Sequence, residues 1–120
     1  MSLPDDRTVL LHNPRCSKSR ATKALLEEQG VEFDVRLYLD EPLTRDELED
    51  LGRRLGLPPA GYTRTGEEAW KESGLDRDAP ADAVLDALVE APILLQRPIL
   101  VRGSRAAIGR PPEQVLELLD

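Results

Sequence analysis

Thr8-Val9-Leu10-Leu11-His12-Asn13-Pro14-Arg15-Cys16-Ser17-Lys18-Ser19-Arg20 changes character twice along its length, and each change marks an element boundary. Thr8 to Leu11 is a short apolar run rich in branched residues, which predicts a buried strand. Asn13-Pro14 breaks it. From Ser17 to about Gln29 the composition turns helical, with Ala21, Ala24, Leu25 and Glu28 at helical spacing, and Gly30 ends the helix. Val35, Leu37 and Leu39 then alternate with Arg36 and Tyr38, which predicts a second strand with two different faces. Strand, helix and strand within about thirty residues make a βαβ unit, whose two strands run parallel.

Working outward, Thr44-Arg45-Asp46-Glu47 is a capping box, with Thr44 placed to bond the helix start and Glu47 to bond back. That helix runs through Leu48, Leu51 and Leu55 and ends at Gly56, before Pro58-Pro59. A loop from Ala60 to Thr65 follows, then a short amphipathic stretch around Trp70. A helix beginning near Pro80, a good first-turn residue, carries Val84, Leu85 and Leu88 as far as Pro92. Together these form a helical insertion over about residues 42–92. Ile99-Leu100-Val101 and Ala106-Ala107-Ile108, joined by Arg102-Gly103-Ser104-Arg105, predict an antiparallel hairpin. A last helix begins at Pro111-Pro112-Glu113 and places Val115, Leu116 and Leu119 on one side. The order β-α-β, helical insertion, β-β-α predicts an α/β fold of thioredoxin-like topology. It is a mixed four-stranded sheet in one domain over residues 1–120, with no repeat or linker.

Bulk composition agrees. A chain of 120 residues fits one domain, and 40% apolar residues supply one modest core, filled mostly by Leu, Val, Ile and Ala because aromatics are only 3%. A net charge of −7 argues against nucleic acid or anionic lipid as a partner, since both favour a basic surface. No stretch is apolar enough to cross a membrane. Met1 to Asp6 carries no basic region followed by an apolar run, so no secretory signal is expected and the cytoplasm is the expected location. The single cysteine, Cys16, cannot form an internal disulfide, so redox work there requires a second thiol from outside.

The net charge hides a pattern. Arg7 to Leu26 contains no acid but holds Arg7, Arg15, Lys18, Arg20 and Lys23; Ala91 to Pro112 contains none either and holds Arg97, Arg102, Arg105 and Arg110. Between them, Glu27 to Glu90 carries 18 of the 23 carboxylates. Brought together, the two basic segments make a local anion site on an acidic protein.

Cys16, between the first strand and the first helix, is predicted at a helix N-terminus, where free N–H groups and the helix dipole favour thiolate over thiol. Arg15, Lys18 and Arg20 add positive charge, and His12 adds more when protonated. A structural hydrogen-bonding role for His12 stands equally open. The hydroxyls of Ser17 and Ser19 cap the helix or donate to the sulfur, and the same amides and cations suit a tetrahedral oxyanion. A second signal is Gln96-Arg97-Pro98-Ile99. Proline just before a buried strand, in the one bond type where cis is accessible, predicts a cis Arg97-Pro98 peptide that aims Arg97 at Cys16. No metal and no bound cofactor are expected.

These motifs have a known counterpart. His12-Asn13-Pro14-x-Cys16-x-x-Ser19-Arg20, Thr44-Arg45-Asp46-Glu47-Leu48, Arg64 six residues before Trp70, Glu72-Ser73-Gly74-Leu75, Arg97-Pro98-Ile99 and the tail from Arg110-Pro111 to Leu118-Leu119 are involved. Over nearly the whole chain they resemble the glutaredoxin-coupled arsenate reductase (ArsC) family. The resemblance implies a thioredoxin-like fold and an oxidoreductase in which Cys16 is the nucleophile that attacks arsenate. It implies that His12, Ser19 and Arg20 form the loop that lowers the Cys16 pKa, and that Arg64 and Arg97 grip the oxyanion and the thiol adduct. Glutathione as co-substrate attacks the adduct, glutaredoxin as partner regenerates the thiol, and arsenite leaves. A monomer is expected. The best-known members carry a third arginine in the last strand. Its place falls here on Ala107, so Arg105, on the same strand face by alternation, is the expected substitute; the C-terminal extension of those enzymes is missing. Two other readings accompany this one. A related enzyme of the same fold would reduce a glutathione mixed disulfide instead of arsenate. A non-enzymatic module would resemble the Spx regulators that bind RNA polymerase, which usually show Cys-x-x-Cys where this chain has Cys16-Ser17-Lys18-Ser19.

Overall fold

Backbone hydrogen bonding turns four short apolar segments into one mixed sheet. β1 (Thr8–His12) pairs parallel with β2 (Asp34–Leu37) and antiparallel with β3 (Ile99–Arg102), which pairs antiparallel with β4 (Arg105–Ile108). The strand order is β2-β1-β3-β4. The computed structural model describes residues 3–119, so Met1, Ser2 and Asp120 of the domain expected over 1–120 lie outside the described residues.

Alternation along the two central strands sorts side chains into two apolar layers. Val9, Leu11, Ile99 and Val101 face one way and pack with Leu48, Leu51, Trp70, Val84, Leu85 and Leu88 of the insertion. Those residues belong to α2 (Arg45–Leu55), α3 (Glu68–Ser73) and α4 (Ala81–Glu90). Leu10, Leu100 and Ala107 face the other way, onto Leu26 of α1 (Ser17–Glu28) and onto Val115 and Leu118 of the tail. The sheet is therefore covered on both faces, and its register defines two ends. Leu11 opposite Ile99 and His12 opposite Leu37 mark one end; Thr8 opposite Arg102 and Arg102 opposite Arg105 mark the other.

Local chemistry explains where the helices begin and end. The Glu47 amide donates to the Thr44 hydroxyl at 3.1 Å and the Thr44 amide donates to Glu47 Oε1 at 2.9 Å, which closes the capping box, while Gly56 ends α2 at φ +70°. The same Glu47 carboxylate receives both terminal nitrogens of Arg36, at 2.7 and 3.0 Å, and so ties α2 to β2. Behind it, Asp50 accepts from Leu3 N at 2.9 Å and pairs with Arg54 at 3.0 Å. Among the described residues no helix is long and apolar enough to cross a membrane.

Three sequence expectations change in detail. The second strand ends at Leu37, and its alternation is inverted: Val35 and Leu39 are exposed while Tyr38 is buried, because β2 is an edge strand whose outer positions face solvent. Pro80 sits outside α4 as its N-cap rather than in its first turn. The last helix is a 3-10 helix, Pro112–Leu118, and buries Val115 and Leu118 rather than Val115, Leu116 and Leu119. With three residues per turn, i and i+3 eclipse, so the buried pair follows from the tighter winding.

Candidate active site

The loop after β1 is built by Asn13. Its carbonyl accepts from Cys16 N at 3.0 Å, its side-chain oxygen accepts from Arg15 N at 3.0 Å, and its own amide donates to Ser19 Oγ at 3.0 Å. Ser19 is fully buried, and its hydroxyl lies 2.6 Å from His12 Nδ1, a hydrogen bond whose direction follows the imidazole tautomer. The Arg20 guanidinium closes the far side by donating to Pro14 O at 2.9 Å. These bonds fix Cys16 as the N-cap of α1 in extended geometry, φ −97° and ψ 124°.

Opposing effects act on the half-buried Cys16 thiol. Burial pushes its pKa up; the Ser19 amide, the Arg97 guanidinium and the Lys18 amide pull it down and win. His12 is only 5% exposed, and burial, with Lys23 and Arg20 nearby, holds its pKa below the ordinary histidine value. The shift favours the neutral imidazole, and of the two roles the sequence left open the hydrogen-bonding one is seen in its contact with Ser19. Its contribution is to hold Ser19. Arg20 likewise acts on the loop rather than on the sulfur, and Arg15 and Lys18 project their side chains into solvent.

Arg97 reaches Cys16 from the entry to β3. The Arg97-Pro98 peptide is cis, as expected, and Arg110 Nη1 donates to Arg97 O at 3.1 Å. The Arg110-Pro111 peptide is also cis, which sequence reading missed. Arg64 arrives from the insertion, because Thr63 bridges Leu95, Arg64 N donates to Leu94 O and Gln96 N donates to Tyr62 O. This short antiparallel contact sets residue 64 opposite residue 94 and anchors the insertion to the segment that leads into β3. Between the two arginines stands Glu67, whose Oε1 lies 3.0 Å from Arg64 Nε and 3.6 Å from Arg97 Nη1. Arg97 Nε and Nη1 are nonetheless buried without a hydrogen-bond partner. The site thus offers a polarised thiol beside two arginines with donors to spare, which suits attack on an anionic electrophile.

Arg105 is not part of it. It is exposed and pairs with Arg102 at the opposite end of the sheet, where Arg102 donates to Thr8 and Arg7 pairs with Asp34. The expectation that Arg105 supplies a third arginine is corrected by this register: the two basic segments meet at both ends of the sheet, and it is their Cys16 and Arg97 ends that form the candidate site. Sequence reasoning also missed Glu67, although its position three residues after Arg64 carried a signal.

With the geometry in hand, comparison with known proteins is informative. Residues 11–118 match the family model described as the ArsC family. An arsenate reductase from Neisseria meningitidis is 46% identical over 112 residues, covering 92% of this chain and 96% of that protein. One from Haemophilus influenzae is 41% identical over 113 residues, covering 92% and 97%. The solved structure of an arsenate reductase from Vibrio cholerae superposes with a TM-score of 0.89 at 45% identity, covering 98% of each chain.

Proposed function

This chain belongs to the ArsC family, and from that premise we propose that it reduces arsenate to arsenite through Cys16, with glutathione as co-substrate and glutaredoxin as partner. The observation that carries the reading is the Cys16 sulfur, held toward thiolate by two helix amides and Arg97 at the mouth of an arginine pair. In the proposed cycle the thiolate attacks arsenic and an oxygen leaves as water, forming a sulfur–arsenic bond. Glutathione attacks the adduct, and glutaredoxin takes up the glutathione sulfur. The two electrons given up by those two thiols reduce As(V) to As(III), and water then cleaves the remaining sulfur–arsenic bond, releasing arsenite and the Cys16 thiol. Arg64 and Arg97 hold the oxyanion and offset its charge while the second negatively charged group approaches. A monomer working in the cytoplasm, where glutathione is reduced, completes the proposal.

One observation favours a second reading. With Arg105 at the far end of the sheet and Ala107 buried in the core, the anion site has two arginines rather than three. In that reading the same thiolate attacks a glutathione mixed disulfide and arsenate is not turned over. A coupled assay separates the two: NADPH oxidation with glutathione, glutaredoxin and glutathione reductase, with arsenate or a glutathione mixed disulfide as oxidant. The expected result is arsenate-dependent turnover that Cys16→Ser abolishes. Turnover that survives this substitution refutes the mechanism, and turnover with the mixed disulfide alone selects the second reading.

A further inference from the structure

Tyr38 is 1% exposed, and its hydroxyl makes no hydrogen bond. Buried hydroxyls without partners are rare, because the desolvated O–H gains nothing that a phenylalanine ring would not supply. The ring itself belongs to the apolar cluster under α2 and α4. Position accounts for the orphaned oxygen. Leu37 is opposite His12 in the β1–β2 register, so Tyr38 leaves the sheet beside the loop that carries Asn13 and Cys16. The charges acting on its phenol are those of Arg97, Cys16 and Arg64, all groups of the candidate site, and the polar side chain beside it is that of Asn13, which holds the Cys16 loop. Burial holds the phenol's pKa above its ordinary value, so it stays protonated and able to donate at neutral pH. Arg97 Nε and Nη1 are buried donors in the same state.

We propose that the Tyr38 hydroxyl is a third donor of the anion site, hydrogen bonding an oxygen of the tetrahedral oxyanion held by Arg64 and Arg97. This deepens the reading above and rests on it for the identity of the anion. A neutral donor suits the place: it adds directional recognition of an oxygen without raising the charge that Glu67 already moderates.

The test is protection of Cys16 from iodoacetamide by inorganic arsenate and, separately, inorganic phosphate, in wild type and Tyr38→Phe. Both anions are expected to slow alkylation of wild type. Tyr38→Phe is expected to need roughly tenfold more of either, the loss of one hydrogen bond to a charged acceptor. Its alkylation rate without anion is expected to stay within about twofold of wild type and its melting midpoint not to fall, since no bond within the protein is lost. Equal protection of the two proteins overturns the proposal. So does absence of protection by either anion in wild type, or a lowered midpoint for Tyr38→Phe, which would place the hydroxyl in a structural bond. Protection that depends on Tyr38 in a protein without arsenate turnover leaves this inference standing and removes arsenate reduction instead.

Discussion

A half-buried thiol with no polar help titrates above the free value, so the downward pull on Cys16 has to come from identifiable groups, and each can be removed. Arg97 acts both as a hydrogen-bond donor and as a charge, whereas the amides of Lys18 and Ser19 are part of the helix and survive substitution. Arg97→Ala is therefore expected to move the pH midpoint of Cys16 alkylation upward, toward or above the free-thiol value of about 8.5, with Arg97→Lys in between. Arg105→Ala should leave it where it is. A midpoint unmoved by Arg97→Ala would assign the activation to the helix alone. Cys16 and Arg97 were legible because their signals are local, a cysteine placed as N-cap and a proline entering a strand. Arg105 was misread because alternation gives the face of a strand but not the distance along it. Two residues amount to roughly 7 Å, enough to carry a side chain away from the site. Glu67 had a local signal toward Arg64, but its contact with Arg97, like the burial of Tyr38, depends on how the insertion closes over β2 and β3, which no local pattern encodes.

At the scale of elements, the site is held by close backbone packing as well as by polar bonds. Gly109 follows β4, and its amide donates to Pro98 O at 2.9 Å. A Cβ added there would meet Pro98 Cγ and Thr22 Oγ1, both at 2.8 Å, while one added at Gly66 would meet nothing within 4 Å. Neither Pro98, at the entry to β3, nor Thr22, whose hydroxyl donates to Lys18 O at 3.0 Å, is free to move far. Gly109→Ala is expected to destabilise the fold by about 1–3 kcal/mol, as overpacking does, and Gly66→Ala by less than about 0.5 kcal/mol. Thermal or urea denaturation of the two variants checks this, and equal midpoints would mean that the β4–α1 contact has slack. The elements themselves were readable from period and punctuation: the capping box at Thr44, the glycine stops and the Arg102–Arg105 hairpin all stand as expected. The tail misled because a helical period of 3.6 was assumed for a segment that winds as a 3-10 helix.

For the molecule as a whole, the acidic middle of the chain is more than a solvated surface, because two of its carboxylates are structural. Burial opposes ionisation of Glu47 and Asp50, yet Arg36 and the Thr44 amide hold the first below its ordinary pKa, and Arg54 with the Leu3 amide does the same for the second. A carboxyl whose folded pKa is depressed stabilises the fold fully above its unfolded pKa, roughly 4.3 for Glu and 3.9 for Asp, and loses that contribution as pH falls through the folded value. Tyr62 has the opposite sense. Its hydroxyl donates to Leu48 O at 3.0 Å, and burial, with Glu49 adding to it, raises its pKa to about 12 from 10.0. Its contribution is complete below the unfolded value and is lost as pH climbs between 10.0 and about 12. Urea midpoints measured across pH should therefore form a plateau. The acid limb should begin near pH 4.5 or below and the alkaline limb above the ordinary tyrosine value. Glu47→Gln should flatten the acid limb while lowering the plateau, because Arg36 loses its charged partner, and Tyr62→Phe should make the alkaline limb shallower, leaving the part due to Tyr38. An acid limb of unchanged steepness in the Glu47→Gln, Asp50→Asn double variant would show that general charge repulsion among exposed carboxylates, rather than these two ion pairs, sets the lower limit of the fold.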